Sequence, residues 1–166
     1  MIIEKLTEED IYLIDQAFEA QGWPKRTQIL HDYLKQQKID ERIVLVAKDE
    51  TKIMGYVTLV YEAKNGPFKD QKIPEIMDLN VFESYQGRKI SHQLLRAVEK
   101  VAFENYDIIT IGVGLHQGYG KAQRLYIKNG YQFDGSGLWY QNRQLEINEP
   151  LLNNDDCALY LYKKRA

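Results

Sequence analysis

Between Glu75 and Val113 the hydrophobic period of the chain changes twice, and that change limits the fold more than any other feature. Glu75 to Val81 reads as a long strand. From Arg88 to about Glu104, Ile90, Leu94, Ala97 and Val101 recur on one helical face, which Leu95, Val98 and Ala102 widen. Ile108 to Val113 is then a continuous apolar run bounded by polar residues, as expected of a strand covered on both faces. Strands interleaved with an amphipathic helix in this way predict a mixed α/β sheet.

The flanking sequence extends the alternation. Thr7 stands before Glu8-Glu9-Asp10 as an N-cap whose acidic first turn complements the helix dipole, and Ile11, Ile14 and Phe18 form the stripe that follows. After Gly22, Pro24 is placed to start a second helix carrying Ile29, Leu30, Tyr33 and Leu34. Ile43 to Ala47 and Ile53 to Tyr61, joined through Asp49-Glu50-Thr51-Lys52, predict an antiparallel hairpin, and a polar loop is centred on Asn65-Gly66-Pro67. A helix over roughly Lys121 to Asn129 should end at a left-handed Gly130, with Tyr131-Gln132-Phe133 opening another strand. The alternating Ala158-Leu159-Tyr160-Leu161-Tyr162 supplies the last strand. The expected order is therefore strand, two helices, three strands, helix, strand, helix, two strands. With 166 residues and neither repeat nor linker, residues 1–166 are expected to form a single domain.

Charge and cysteine content narrow the function. A formal net charge of −2 argues against a protein that coats nucleic acid, so any anion site must be local, and Lys163-Lys164-Arg165 reads as a solvated tail. Cys157 is the sole cysteine; no intramolecular disulfide can form, and it reads as a small near-core residue. Acidic residues follow Met1 too soon for a signal peptide, and no apolar run approaches the roughly 18 residues of a membrane span. A soluble cytoplasmic protein without membrane or nucleic-acid partners is expected. His31, His92 and His116 lack metal-ligand spacing, so no metal is expected; His116, which follows the strand ending at Val113, is the one placed among converging loops.

The chemistry is concentrated in Met77-Asp78-Leu79-Asn80-Val81, Phe82-Glu83-Ser84-Tyr85 and Gln86-Gly87-Arg88-Lys89-Ile90-Ser91. A tight glycine turn leading straight into a helix leaves the first backbone N–H groups without partners, and these suit a pyrophosphate. Arg88 and Lys89 add positive charge where the helix dipole alone would not favour it, which points to an anion. This segment resembles the acetyl-CoA-binding motif of the GNAT N-acetyltransferase superfamily, Tyr-(Arg/Gln)-Gly-x-Gly-x-(Gly/Ala) after a strand ending in Val. Gln86 and Gly87 match; Lys89 stands at the usual second glycine and Ser91 at the usual Gly or Ala. Downstream, Ala122, Tyr126, Gly130 and Tyr131 are similar to the family's Asn-x-x-Ala-x-x-x-Tyr-x-x-x-Gly-(Phe/Tyr) helix, with Tyr119 at the Asn position. Neither glycine fingerprint of a P-loop or dinucleotide enzyme is present.

The resemblance implies the family's fold, a central twisted, mostly antiparallel sheet flanked by helices, and acetyl-CoA as cosubstrate. It implies that the backbone of Leu79, Asn80 and Val81 pairs with pantetheine and polarises the thioester carbonyl. Gln86, Gly87, Arg88, Lys89, Ile90 and Ser91 would hold the pyrophosphate, with Tyr119, Ala122, Tyr126 and Lys128 completing the cofactor contacts. Tyr126 occupies the position of the general acid that protonates the departing thiolate. For the base, Glu75 aligns with the glutamate of lysine-acetylating members; Asp78, on the opposite face by strict alternation, and a water chain are the other options. The implied reaction is direct transfer of acetyl to a primary amine on a small molecule, peptide or protein, by a chain compatible with a homodimer. The acceptor would be set by the first two helices, the loop at Gly66 and the segment from Gly135 to Asn154, where Trp23, Trp139 and Tyr140 are candidate lining residues. An acyl-CoA-binding sensor without turnover is the competing reading, favoured by Lys89 and the missing Asn and opposed by Tyr126.

Overall fold

In the computed structural model, which describes residues 1–166, the first strand, β1 (Ile2–Lys5), gives way at once to a capped helix, α1 (Glu8–Ala20). The Thr7 hydroxyl accepts from the Asp10 N–H, and Asp10 Oδ2 accepts from the Thr7 N–H at 2.9 Å, a reciprocal capping box. Lys48 Nζ, 3.2 Å from Asp10 Oδ1, ties this corner to the next strand pair. The second helix, α2 (Thr27–Lys38), begins three residues beyond Pro24, not at it. Asp15 of α1 decides the start: its Oδ1 accepts from the Arg26 N–H at 2.8 Å and its Oδ2 from the Thr27 hydroxyl. A buried carboxylate at a helix N-terminus satisfies donors that proline could not supply.

The fold is mixed α/β with a mostly antiparallel sheet flanked by helices, as expected. It comprises two compact units, residues 1–61 with 76–104, and residues 62–75 with 105–166. In the first, β2 (Arg42–Asp49) pairs antiparallel with β1 and with β3 (Lys52–Val60), Val46 opposite Tyr56. β4 (Glu75–Val81) lies beside β3 so closely that a Cβ on Gly55 would sit 2.4 Å from the Asn80 carbonyl oxygen. Only glycine fits there. Ile11, Ile14 and Phe18 of α1 and Leu30 and Leu34 of α2 pack on Val44, Val46, Ile53 and Tyr56, whereas Ile29 points outward. The other face of β2, Ile43, Leu45 and Ala47, is also buried, and α3 (Ile90–Phe103) packs against β2 and β3. Its buried seam is Ile90, Leu94, Leu95, Val98 and Ala102; Ala97 and Val101 lie at the margin, one step off the expected stripe.

In the second unit β5 (Ile108–Val113) pairs antiparallel with β9 (Cys157–Lys164), Ile111 opposite Leu161. Between them run α4 (Gly120–Lys128), ended by Gly130 at φ +87°, and β6 (Gln132–Phe133), which also pairs with β9. A small hairpin of β7 (Trp139–Tyr140) and β8 (Arg143–Gln144) lies in the segment from Gly135 to Asn154, for which the sequence pattern predicts no strand. Gln141 and Asn142 both take positive φ at its tip, the twist a two-residue hairpin needs without the Asn-Gly that would announce it.

Candidate active site

β4 leaves the sheet through a fixed exit. The Phe82 N–H donates to the Met54 carbonyl at 3.0 Å, and its buried ring meets Phe18 edge-on at 5.0 Å. A single 3-10 turn over Glu83–Tyr85 follows, and Gln86 Nε2 reaches back to the Val81 carbonyl at 3.3 Å. Gly87 (φ +78°) and Lys89 (φ +60°) are both left-handed. Space around Gly87 is open, so conformation alone calls for glycine there. Lys89 holds the same conformation with a Cβ, at a cost of about 1–2 kcal/mol, which explains why glycine is usual at that position.

Those two residues delay α3 to Ile90, two residues later than the sequence pattern predicts. Gln93 N–H makes the bond to the Lys89 carbonyl, so the N–H groups of Ile90, Ser91 and His92 lie ahead of the helical ladder. No side chain caps them, and no acidic residue occupies the first turn. The positive end of a 14-residue helix is therefore flanked by two cations, Lys89 and Arg88, the latter 5.4 Å from the Tyr85 ring centroid. The Ile90 side chain is core, so that residue can offer an anion only its backbone.

On β4, Asp78 is the centre of a hydrogen-bond cluster. Its Oδ2 accepts from Arg26 Nη1 at 2.6 Å and from the Tyr33 and Tyr56 hydroxyls at 3.2 Å each, and its Oδ1 accepts from Asn80 Nδ2. Arg26 also donates to the Tyr56 oxygen. Burial, reinforced by Asp78, pushes the Tyr56 phenol far above its ordinary range, so it stays protonated. To act as a base Asp78 would have to surrender an ion pair and three further donors, which makes it a poor proton acceptor. Leu79 and Val81, on the alternate face, are half-buried.

Glu75 is placed differently. It is 6% exposed, no hydrogen bond or ion pair reaches its carboxyl, and burial pushes its pKa up to about 7. The Tyr160 phenol is raised to about 12, first by burial and then by the Glu75 charge. A carboxyl poised near neutrality is tuned for proton transfer. On α4, Tyr126 is 6% exposed and its ring lies 5.9 Å from that of Tyr131, while Ala122 is half-buried and Lys128 exposed. The Tyr119 hydroxyl donates to Asp155 Oδ1 at 3.0 Å, and the ring lies against His116. His116 sits in the same cluster, Nε2 at 2.7 Å from Asp155 and Nδ1 accepting from the Gly118 N–H, which makes Nε2 the protonated nitrogen. The indole of Trp139 donates to the Ser136 hydroxyl and packs on Tyr160, and Trp23 stacks on Phe18. Cys157 is buried, its thiol directed at the Leu152 carbonyl. No helix is long and apolar enough to cross a membrane.

Arg26, Tyr33, Arg42 and Tyr56 were not candidates from sequence. They come from α2, its approach, and two strands, and no spacing rule links them.

Known proteins agree with this architecture. The model of the acetyltransferase (GNAT) family matches residues 8–131. Comparison of the sequence with curated proteins returns no match. Among solved structures, ribosomal-protein-alanine N-acetyltransferase from Brucella melitensis superposes with a TM-score of 0.69 at 19% identity, over 99% of this chain and 100% of that one. PaiA N-acetyltransferase from Thermoplasma acidophilum, in complex with coenzyme A, gives 0.65 at 16% over 99% and 100%. A spermidine N-acetyltransferase SpeG mutant from Vibrio cholerae gives 0.69 at 16% over 99% and 95%. With three quarters of its length under one family model and the corresponding fold throughout, the chain belongs to the acetyltransferase (GNAT) family.

Proposed function

We propose that this protein is an acetyl-CoA-dependent N-acetyltransferase that moves acetyl to a primary amine by direct transfer. The observation that carries the reading is the opening of α3: two left-handed residues, a first turn with no capping side chain or acidic residue, and two adjacent cations. Those groups fit a pyrophosphate, and the Brucella, Thermoplasma and Vibrio proteins are all N-acetyltransferases, one of them in complex with coenzyme A. Acetyl-CoA supplies an acetyl group activated as a thioester. The N–H groups of residues 90–92, with Arg88 and Lys89, hold its diphosphate, and a backbone N–H from Leu79, Asn80 or Val81 polarises the carbonyl. Glu75 takes the proton that the attacking amine must lose; Tyr126 gives one to the sulfur as the C–S bond breaks, so the exchange balances.

Calorimetry with CoA, followed by thiol release from acetyl-CoA across an amine panel, tests the reading. Tyr126→Phe is expected to lower kcat about 100-fold with CoA affinity retained. Absence of heat with CoA overturns the proposal. A sensor without turnover is the second reading, favoured by the bulky, strained Lys89; CoA binding with no thiol release from any amine would establish it.

A further inference from the structure

The cluster on the α1/α2 face of the first unit holds more positive charge than it neutralises. Arg42, Thr58, Tyr56, Asp78 and Asn80 lie on β2, β3 and β4, joined by Tyr33 of α2 and by Arg26. Arg42 is 8% exposed, yet no carboxylate lies within ion-pair distance of it. Its Nε donates to Gln36 Oε1 at 2.7 Å, its Nη1 to the Thr58 hydroxyl, and its guanidinium lies 4.1 Å from the Tyr33 ring centroid. Burial lowers its pKa, outweighing the opposing pull of Tyr33 and of the Asp78 charge. Asp78 is the one carboxylate of the cluster and is already paired with Arg26. Asp15 accepts from the Arg26 backbone N–H and the Thr27 hydroxyl, and from neither guanidinium.

Two guanidiniums against one carboxylate leave a surplus positive charge, and the free donors match it. Nε and Nη2 of Arg26 and Nη2 of Arg42 have no protein acceptor. Asp78, by contrast, already holds four donors, three on Oδ2 and one on Oδ1, so it offers an incoming ammonium at most one acceptor site, beside two guanidiniums. The side chains of Arg26 and Asp78 are 25% and 18% exposed, which keeps the cluster open to solute. Buried charges require partners, and planar guanidinium forks favour oxyanions.

We propose, resting on the N-acetyltransferase reading, that the acceptor amine carries a carboxylate or phosphate that binds Arg26 and Arg42. The acceptor is thus an acidic amine such as an amino acid or an aminoalkyl phosphate, not a polyamine.

The test uses the full chain with acetyl-CoA and matched acceptors: amino acids against their amides, aminoalkyl phosphates against the corresponding alcohols, and spermidine. Acidic acceptors are expected to react with kcat/KM at least 10-fold above their neutral counterparts, and whichever acidic series leads identifies carboxylate or phosphate. Arg26→Gln, at the open edge of the cluster, should raise KM for the acidic acceptor roughly 10- to 100-fold, leave KM for acetyl-CoA unchanged, and abolish the preference. Arg42→Lys, which keeps the charge and loses the fork, should do so in part. Equal or faster turnover of neutral amines or spermidine overturns the inference while leaving the acetyltransferase reading intact. A rise in KM for acetyl-CoA instead overturns it as well, assigning the arginines to the cofactor. Absence of CoA binding overturns both.

Discussion

Glu75 owes its raised pKa to the surface it loses on folding. Its pKa is raised by burial from 4.5 to about 7, so the folded state holds the proton more tightly than the unfolded chain. The associated stability is fully present below about pH 4.5 and is lost as pH rises through about 7, by about 3 kcal/mol in total. Glu75→Gln should therefore remove that part of the pH dependence and be the more stable protein at pH 8, measured by urea melts at both ends of the range. If Glu75 is the base, the wild-type kcat/KM rises with an apparent pKa near 7 and the Gln variant loses that limb; an unchanged profile would assign the proton to water. Lys89 carries the opposite expectation. Lys89→Gly relieves a left-handed Cβ and should add about 1 kcal/mol to unfolding stability, read from the same melts; a loss would show that the side chain makes contacts worth more than the strain. Neither property could be read in the sequence. Nothing in the letters distinguishes a buried Glu75 from an exposed strand-end carboxylate, and lysine is not a residue that signals positive φ.

At the level of elements, local pattern carried far. Glu75–Val81 and Ile108–Val113 begin and end where the alternation and the apolar run predict, and the Thr7–Asp10 box forms as its spacing requires. Thr7→Ala should cost about 1 kcal/mol, seen as a lower thermal midpoint, because the cap satisfies first-turn donors that α1 leaves open; an unchanged midpoint would mean Asp10 and Lys48 hold the corner unaided. Errors arose where a distant residue decides a boundary. Asp15 moves the start of α2 past Pro24, and the left-handed pair at 87 and 89 trims two residues from α3. The β7–β8 hairpin escaped because Gln141-Asn142 lacks the glycine that usually marks such a turn.

For the molecule as a whole, the site was legible where it is contiguous and illegible where it is assembled. The turn at Gly87 stands in one stretch of chain, whereas Arg26, Arg42, Tyr56 and Asp78 meet only once helices and strands are in place. Because CoA should bind only the folded chain, saturation at about a hundredfold excess over Kd is expected to add about 2.7 kcal/mol to global stability, and high salt should shrink that gain by screening Arg88 and Lys89. A melting temperature indifferent to CoA would contradict this. The position of Cys157 has a practical corollary. At 2% exposure it leaves the native surface without a reactive sulfhydryl, so an aromatic disulfide dye added to the reaction colours with liberated CoA and not with the enzyme. The slow labelling that remains, in the absence of substrates, becomes a clock for how often β9 peels away from its neighbours.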